Sequence, residues 1–71
     1  MSGTDAPRGL ADANPEDLFT HAITGALIVV VEHNGDELMT VQLNDAEGHG
    51  PGWIAYLWPN AAGWSFVGKA K

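Results

Sequence analysis

The spacing of apolar residues changes twice along the chain. Leu18, Phe19, Ala22 and Ile23 fall at i, i+1, i+4 and i+5, which is one face of a helix. Asn14-Pro15-Glu16-Asp17 precedes them. Asn14 suits a cap, Pro15 suits the first helical position, and two acids meet the positive end of the dipole. With Gly25 as a stop, the pattern predicts a helix over about residues 15–24. A helix that short needs something to pack on.

From residue 26 the period shortens. Ala-Leu-Ile-Val-Val-Val-Glu, residues 26–32, is rich in β-branched side chains and predicts a strand. His33-Asn34-Gly35-Asp36 follows, and Asn-Gly between β-rich runs is the strongest short-range hairpin signal. The return strand is about residues 37–44. A two-residue turn on Asn34-Gly35 pairs Val30 with Met39, Ile28 with Val41 and Ala26 with Leu43. It makes an apolar face at the cost of setting Glu32 opposite Glu37. A three-residue loop, His33-Asn34-Gly35, pairs Val31 with Glu37 instead. The two-residue turn fits better the alternation of Met39, Val41 and Leu43 with Thr40 and Gln42, which leaves one wet face.

The first strand is different. Leu27, Val29 and Val31 line one of its faces and Ala26, Ile28 and Val30 the other, so both are apolar. Such strands are usually covered on both sides. One helix covers one side, and the chain has little left for the other. Residues 45–52 form a loop with three glycines and a proline. Residues 53–58 predict a third strand, with a short amphipathic helix as the alternative, and residues 64–67 predict a fourth. The expected fold is α+β, one short N-terminal helix on a small antiparallel sheet of three to four strands. Residues 1–13 are expected as a loose tail and residues 14–71 as the single domain.

Length then limits the core. A chain of 71 residues makes one domain, and one of that size buries only about 60% of its unfolded surface. Such scaffolds usually need a disulfide, a metal or a partner chain. With no cysteine, disulfides and thiolate metal sites are excluded. That absence, with no signal-peptide pattern and no apolar run near the length of about 20 a membrane helix needs, leads us to expect a soluble, cytoplasmic protein without membrane contact.

Charge is unevenly placed. All nine acids lie between Asp5 and Glu47 with Arg8 as the only base there, a segment of charge −8, while residues 48–71 carry two lysines and no acid. Direct nucleic-acid binding is disfavoured, since it needs a basic footprint. An acidic face of Glu32, Asp36, Glu37, Asp45 and Glu47 could instead meet a basic partner.

Candidate chemistry is sparse. No nucleophile–base motif, phosphate loop or H-E-x-x-H is present, and the only serines are Ser2 and Ser65, so an enzyme is not expected. Asp45-x-Glu47-x-His49 has metal-ligating residue types, but its spacing matches no defined loop and a solvated acidic loop is the simpler expectation. No metal or other cofactor is expected. His33 is expected in an exposed turn and His21 at the edge of the helix. Five of the six aromatics, Trp53, Tyr56, Trp58, Trp64 and Phe66, fall within fourteen residues. They make either a core or a binding platform.

The Ala/Gly/Asp-rich composition, and residues 25–32 followed by a polar turn and a second strand, resemble short acidic uncharacterised proteins of actinobacteria and their phages. No functional residue follows from that resemblance. The leading expectation is a non-enzymatic protein–protein interaction module, a phage or host accessory protein acting as a homodimer, that binds through Leu27, Val29, Val31, Trp53, Tyr56, Trp58 and Trp64. The alternatives are an acidic inhibitor that mimics nucleic acid, and small-ligand or carbohydrate binding on the aromatic platform.

Overall fold

The computed structural model describes residues 9–70. Its architecture is all-β: five antiparallel strands, β1 (Asp17–His21), β2 (Leu27–His33), β3 (Leu38–Gln42), β4 (Ile54–Leu57) and β5 (Trp64–Lys69), in the sheet order β4-β3-β2-β1-β5. The only helical element among the described residues is a 3-10 turn, Leu10–Asp12. The α+β expectation is therefore wrong, and the segment behind it is β1.

The reason lies in a pattern that serves two periods. Over five residues, Leu18 and Phe19 fit a helical stripe, but Asp17, Phe19 and His21 also alternate with Leu18 and Thr20 as in a strand. Tertiary pairing decides between them. β1 lies between β2 and β5, and Phe19 is fully buried with its ring edge-on to Phe66, centroids 5.8 Å apart. Ile23, which would complete the helical face, is 87% exposed. The cap sequence serves as a turn. Asp17 N–H donates to the Asn14 carbonyl at 3.1 Å, Asn14 N–H donates to Asp17 Oδ2 at 2.9 Å, and Glu16 between them has φ 78°. This is the type II arrangement, with proline at its first central position.

The hairpin between β2 and β3 is present, but in neither expected register. His33 pairs with Leu38, so the loop is four residues long. Asn34 Oδ1 accepts from both Asp36 N–H and Glu37 N–H at 3.0 Å. That side-chain cap stabilises a longer loop than Asn-Gly usually makes. A bulge at Val31 then shifts the ladder so that Val30 pairs with Thr40, Val29 with Val41 and Ile28 with Gln42. A slip of one residue exchanges the faces of a strand. Leu38, Thr40 and Gln42 point inward, while Met39 and Val41 point outward and Leu43 lies exposed just beyond the strand, the reverse of the expected arrangement.

β4 and β5 are opposite edges in the sheet order. Yet Leu57 from one and Trp64 and Phe66 from the other pack on the same core, so the sheet curls until its edges face each other. The segment 58–63 returns through the gap, and Ala61 packs on the core there. Inside lie Phe19, Ile28, Val30 and Leu38, joined by Leu10 and Ala13. Part of the expected tail is thus core: Leu10 is 1% exposed. Residues 1–8 lie outside the described residues.

Candidate functional site

The curled sheet has two ends, and register places every residue relative to them. One end holds the β2–β3 turn, the start of β1 and the finish of β5. The 3-10 turn closes it with Leu10 and Ala13. Three contacts hold that plug. His33 Nδ1–H donates to the Ala13 carbonyl at 3.0 Å, Lys69 Nζ pairs with the buried Asp17 Oδ1 at 2.6 Å, and Glu16 N–H donates to the Val30 carbonyl at 2.7 Å. His33 is therefore an anchor and not the exposed turn residue that its place beside Asn34-Gly35 suggests.

The other end is open. A cleft of about 690 Å³ runs into it from the mouth formed by the β1–β2 turn and the loop after β3. Trp53 alternates with Ala55 and Leu57 and faces inward, and Trp64 shares the inner face with Phe66, so the two indoles line the cleft. His49 stacks flat on Trp53, with centroids 3.6 Å apart and planes 6° apart. His21 meets Trp64 edge-on at 4.8 Å. His21 Nδ1 accepts from Ile23 N–H and Thr24 N–H at 3.2 and 3.3 Å, which places the proton of the neutral ring on Nε2.

Gln42 organises this end. It is 3% exposed, and its Nε2 donates to the carbonyls of Asn44, Ala46 and His49 at 2.7, 3.2 and 2.9 Å. Asn44 joins in, accepting from Leu27 N–H and donating to the Gly25 carbonyl. The loop after β3 turns back on itself at Glu47-Gly48, where Ala46 and His49 exchange two backbone hydrogen bonds of 2.9 Å. φ is 56° at Glu47 and 78° at Gly48, so the tight I′ turn sits here and not at Asn34-Gly35.

A second region lies on the outside of the sheet. Leu18 pairs with Val29, Val29 with Val41, and Val41 with Ile54. These four make an apolar row across β1, β2, β3 and β4. Met39 and Tyr56 pair beside it, and Leu27 and the bulged Val31 extend it along β2. Ile54 is 47% and Tyr56 60% exposed. No described element lies over this face.

The structure thus divides the candidate residues. Leu27, Val29 and Val31 belong to the outer face, Tyr56 borders both that face and the cleft, and Trp58 is exposed just beyond β4. Trp53 and Trp64 belong to the cleft. Glu32, Asp36 and Glu37 flank the turn at the closed end, while Asp45 and Glu47 follow the opposite end of β3, so the five acids form two groups and no single ridge. Among the described residues, no cluster of three or more His, Asp or Glu is placed to hold a metal, and His49 is turned onto Trp53. Leu18, Ile54, Gln42 and His21 were missed as site residues. Alternation splits a strand into two sets but does not say which faces in, and a bulge shifts the answer. Nor does any helix among the described residues have the length and apolarity to cross a membrane. Comparison with known proteins gave no matching family model, no matching curated protein and no matching solved structure.

Proposed function

We propose that this protein is a non-enzymatic interaction module, an accessory protein that pairs with a second copy of itself through the outer face of its sheet. The observation that carries the reading is the registered row Leu18–Val29–Val41–Ile54. It is uncharged, crosses four of the five strands and is covered by no described element. Isolated exposed apolar residues are ordinary, but a contiguous patch indicates a contact surface. Two further features favour a second copy as the occupant. An apolar row is complementary to itself, which an isologous two-fold contact requires. None of the described acids, which would repel in a dimer of net charge −6 per chain, lies in the row itself; the one nearest it on β2, Glu32, stands opposite Met39 toward the β2–β3 turn. The core of one copy is also small: seven apolar side chains are buried among the described residues. Domains with so little core gain most from association.

Sedimentation velocity over a dilution series tests this. The expected species is twice the 7.5 kDa chain mass, shifting to monomer on dilution. Val41→Lys should give monomer at every concentration while keeping the circular dichroism of the parent. A parent that stays monomeric up to millimolar concentration overturns the proposal.

A further inference from the structure

The open cleft has a chemistry of its own, different from that of the outer face it meets along β4 at Ile54 and Tyr56. Its volume of about 690 Å³ lies within the range of small-molecule sites, about 300–1,000 Å³. Its charged and buried polar groups are acceptors. Gln42 has committed its amide nitrogen to three loop carbonyls, which fixes its Oε1 as an acceptor. Among the described residues Oε1 accepts no hydrogen bond, and no fully buried side-chain oxygen or nitrogen lacks a partner, so this oxygen keeps an opening to the cleft its side chain lines. Thr40 spends its hydroxyl proton on the Ala55 carbonyl at 2.9 Å and presents only lone pairs. Glu47 brings a carboxylate to the lining. The walls are the indoles of Trp53 and Trp64, whose faces carry the negative end of the ring quadrupole.

The donors in the lining are all uncharged: the indole N–H groups of Trp53 and Trp64, the hydroxyls of Thr24 and Tyr56, and the rings of His49 and His21, of which His21 Nε2 lies against Gly63, where even a Cβ would come within 2.5 Å of the nitrogen. No lysine or arginine lines the cleft; Lys69 is held by Asp17 at the closed end. The described residues carry eight acids against that one lysine, so the surrounding field is negative as well.

The geometry points to a binding site for a small organic cation, an ammonium group on an apolar body, held between Trp53 and Trp64 with Gln42 Oε1 and the Glu47 carboxylate as its polar partners. Aromatic faces attract an ammonium ion, and more strongly away from water. An anion would find no counter-charge in the lining and a carboxylate at its rim. A neutral apolar ligand would leave the buried Gln42 oxygen without a donor, which costs affinity.

Choline and its neutral isostere 3,3-dimethylbutanol separate these cases, since they share a shape and differ in charge. In heteronuclear NMR, choline should shift the indole N–H signals of Trp53 and Trp64 saturably. The exposed Trp58 on the outside serves as an internal control and should stay still. The isostere should bind at least about tenfold more weakly, the order of a desolvated cation–aromatic contact. Trp53→Ala, on a ring that is 44% exposed, should lose a similar factor with the strand signals unchanged. Glu47→Gln should cost about threefold, as a charge at the rim. Equal binding of both probes, a response confined to Trp58, or no saturable shift would each overturn the assignment.

Discussion

The two ends of this curled sheet use polar side chains in opposite ways. At the closed end the side chains of Asp17, His33 and Lys69 tie chain segments across the opening, and Leu10 and Ala13 fill it. At the open end Gln42, Asn44 and His21 tie segments around the rim and leave the middle empty. Neither end has more hydrogen bonding in principle than the other; what differs is where the bonded carbonyls lie. Those of Ala13 and Val30 lie under the plug, and those of Asn44, Ala46 and His49 lie around a mouth. A cavity in so small a domain persists because its lip is built from satisfied backbone, which gives the loop no reason to collapse inward.

Three substitutions set the ends against each other. The largest effect should come from the closed end. Leu10→Ala removes a side chain that is fully buried and should cost about 2–4 kcal/mol, the usual range for such a cavity. It should lower the thermal midpoint while the cleft tryptophans keep their NMR positions until unfolding. If the indole signals of Trp53 and Trp64 move in the folded state, the two ends are not independent.

Gln42→Leu at the open end should cost less, about 1–3 kcal/mol, by leaving three carbonyls to find water. Its signature should be local: amide exchange should rise in the loop of residues 43–52 and stay slow in β1 and β2. Uniform loss of protection would show that Gln42 supports the whole sheet and not only the mouth. The smallest effect should be a gain. Glu47 adopts φ 56° as a non-glycine residue in a tight turn. Asparagine accepts that conformation more readily, so Glu47→Asn should stabilise by about 0.5–1 kcal/mol. Chemical denaturation resolves a change of that size. A loss of stability would mean that the Glu47 side chain holds the turn by a contact outweighing its strain.

Much of the strand content was legible in the sequence. The valine-rich run became β2, residues 37–44 contain β3, residues 53–58 contain β4, and residues 64–67 begin β5. In each case β-branched or aromatic residues sit between glycine or proline signals. β1 was hidden because Leu18, Phe19, Ala22 and Ile23 suit a helix locally, and nothing local records that β2 and β5 flank that segment. The turn was hidden differently. Asn34 prefers to cap two amides with its own oxygen, so Asn-Gly joined a four-residue loop, and a glutamate took the tight turn elsewhere. The doubly apolar character of β2 was visible and was informative: its inner face is core and its outer face stays uncovered by described residues. Which of Thr40 and Val41 faces inward depended on one bulged valine, and no periodicity reports a bulge.

The other bulge bears on how large an assembly can grow. Between β1 and β5 the ladder breaks so that Leu18 pairs with Gly68 and Phe19 with Phe66, leaving Val67 unmatched on the outermost strand. That strand then ends in Lys69, and the opposite edge strand is only four residues long and is soon followed by Pro59. Kinks, a charge, a short edge and a proline all discourage edge-to-edge stacking. Were two copies to meet through the outer face as proposed, margins blunted in this way would stop the assembly at a finite pair and give a fibril no template to extend.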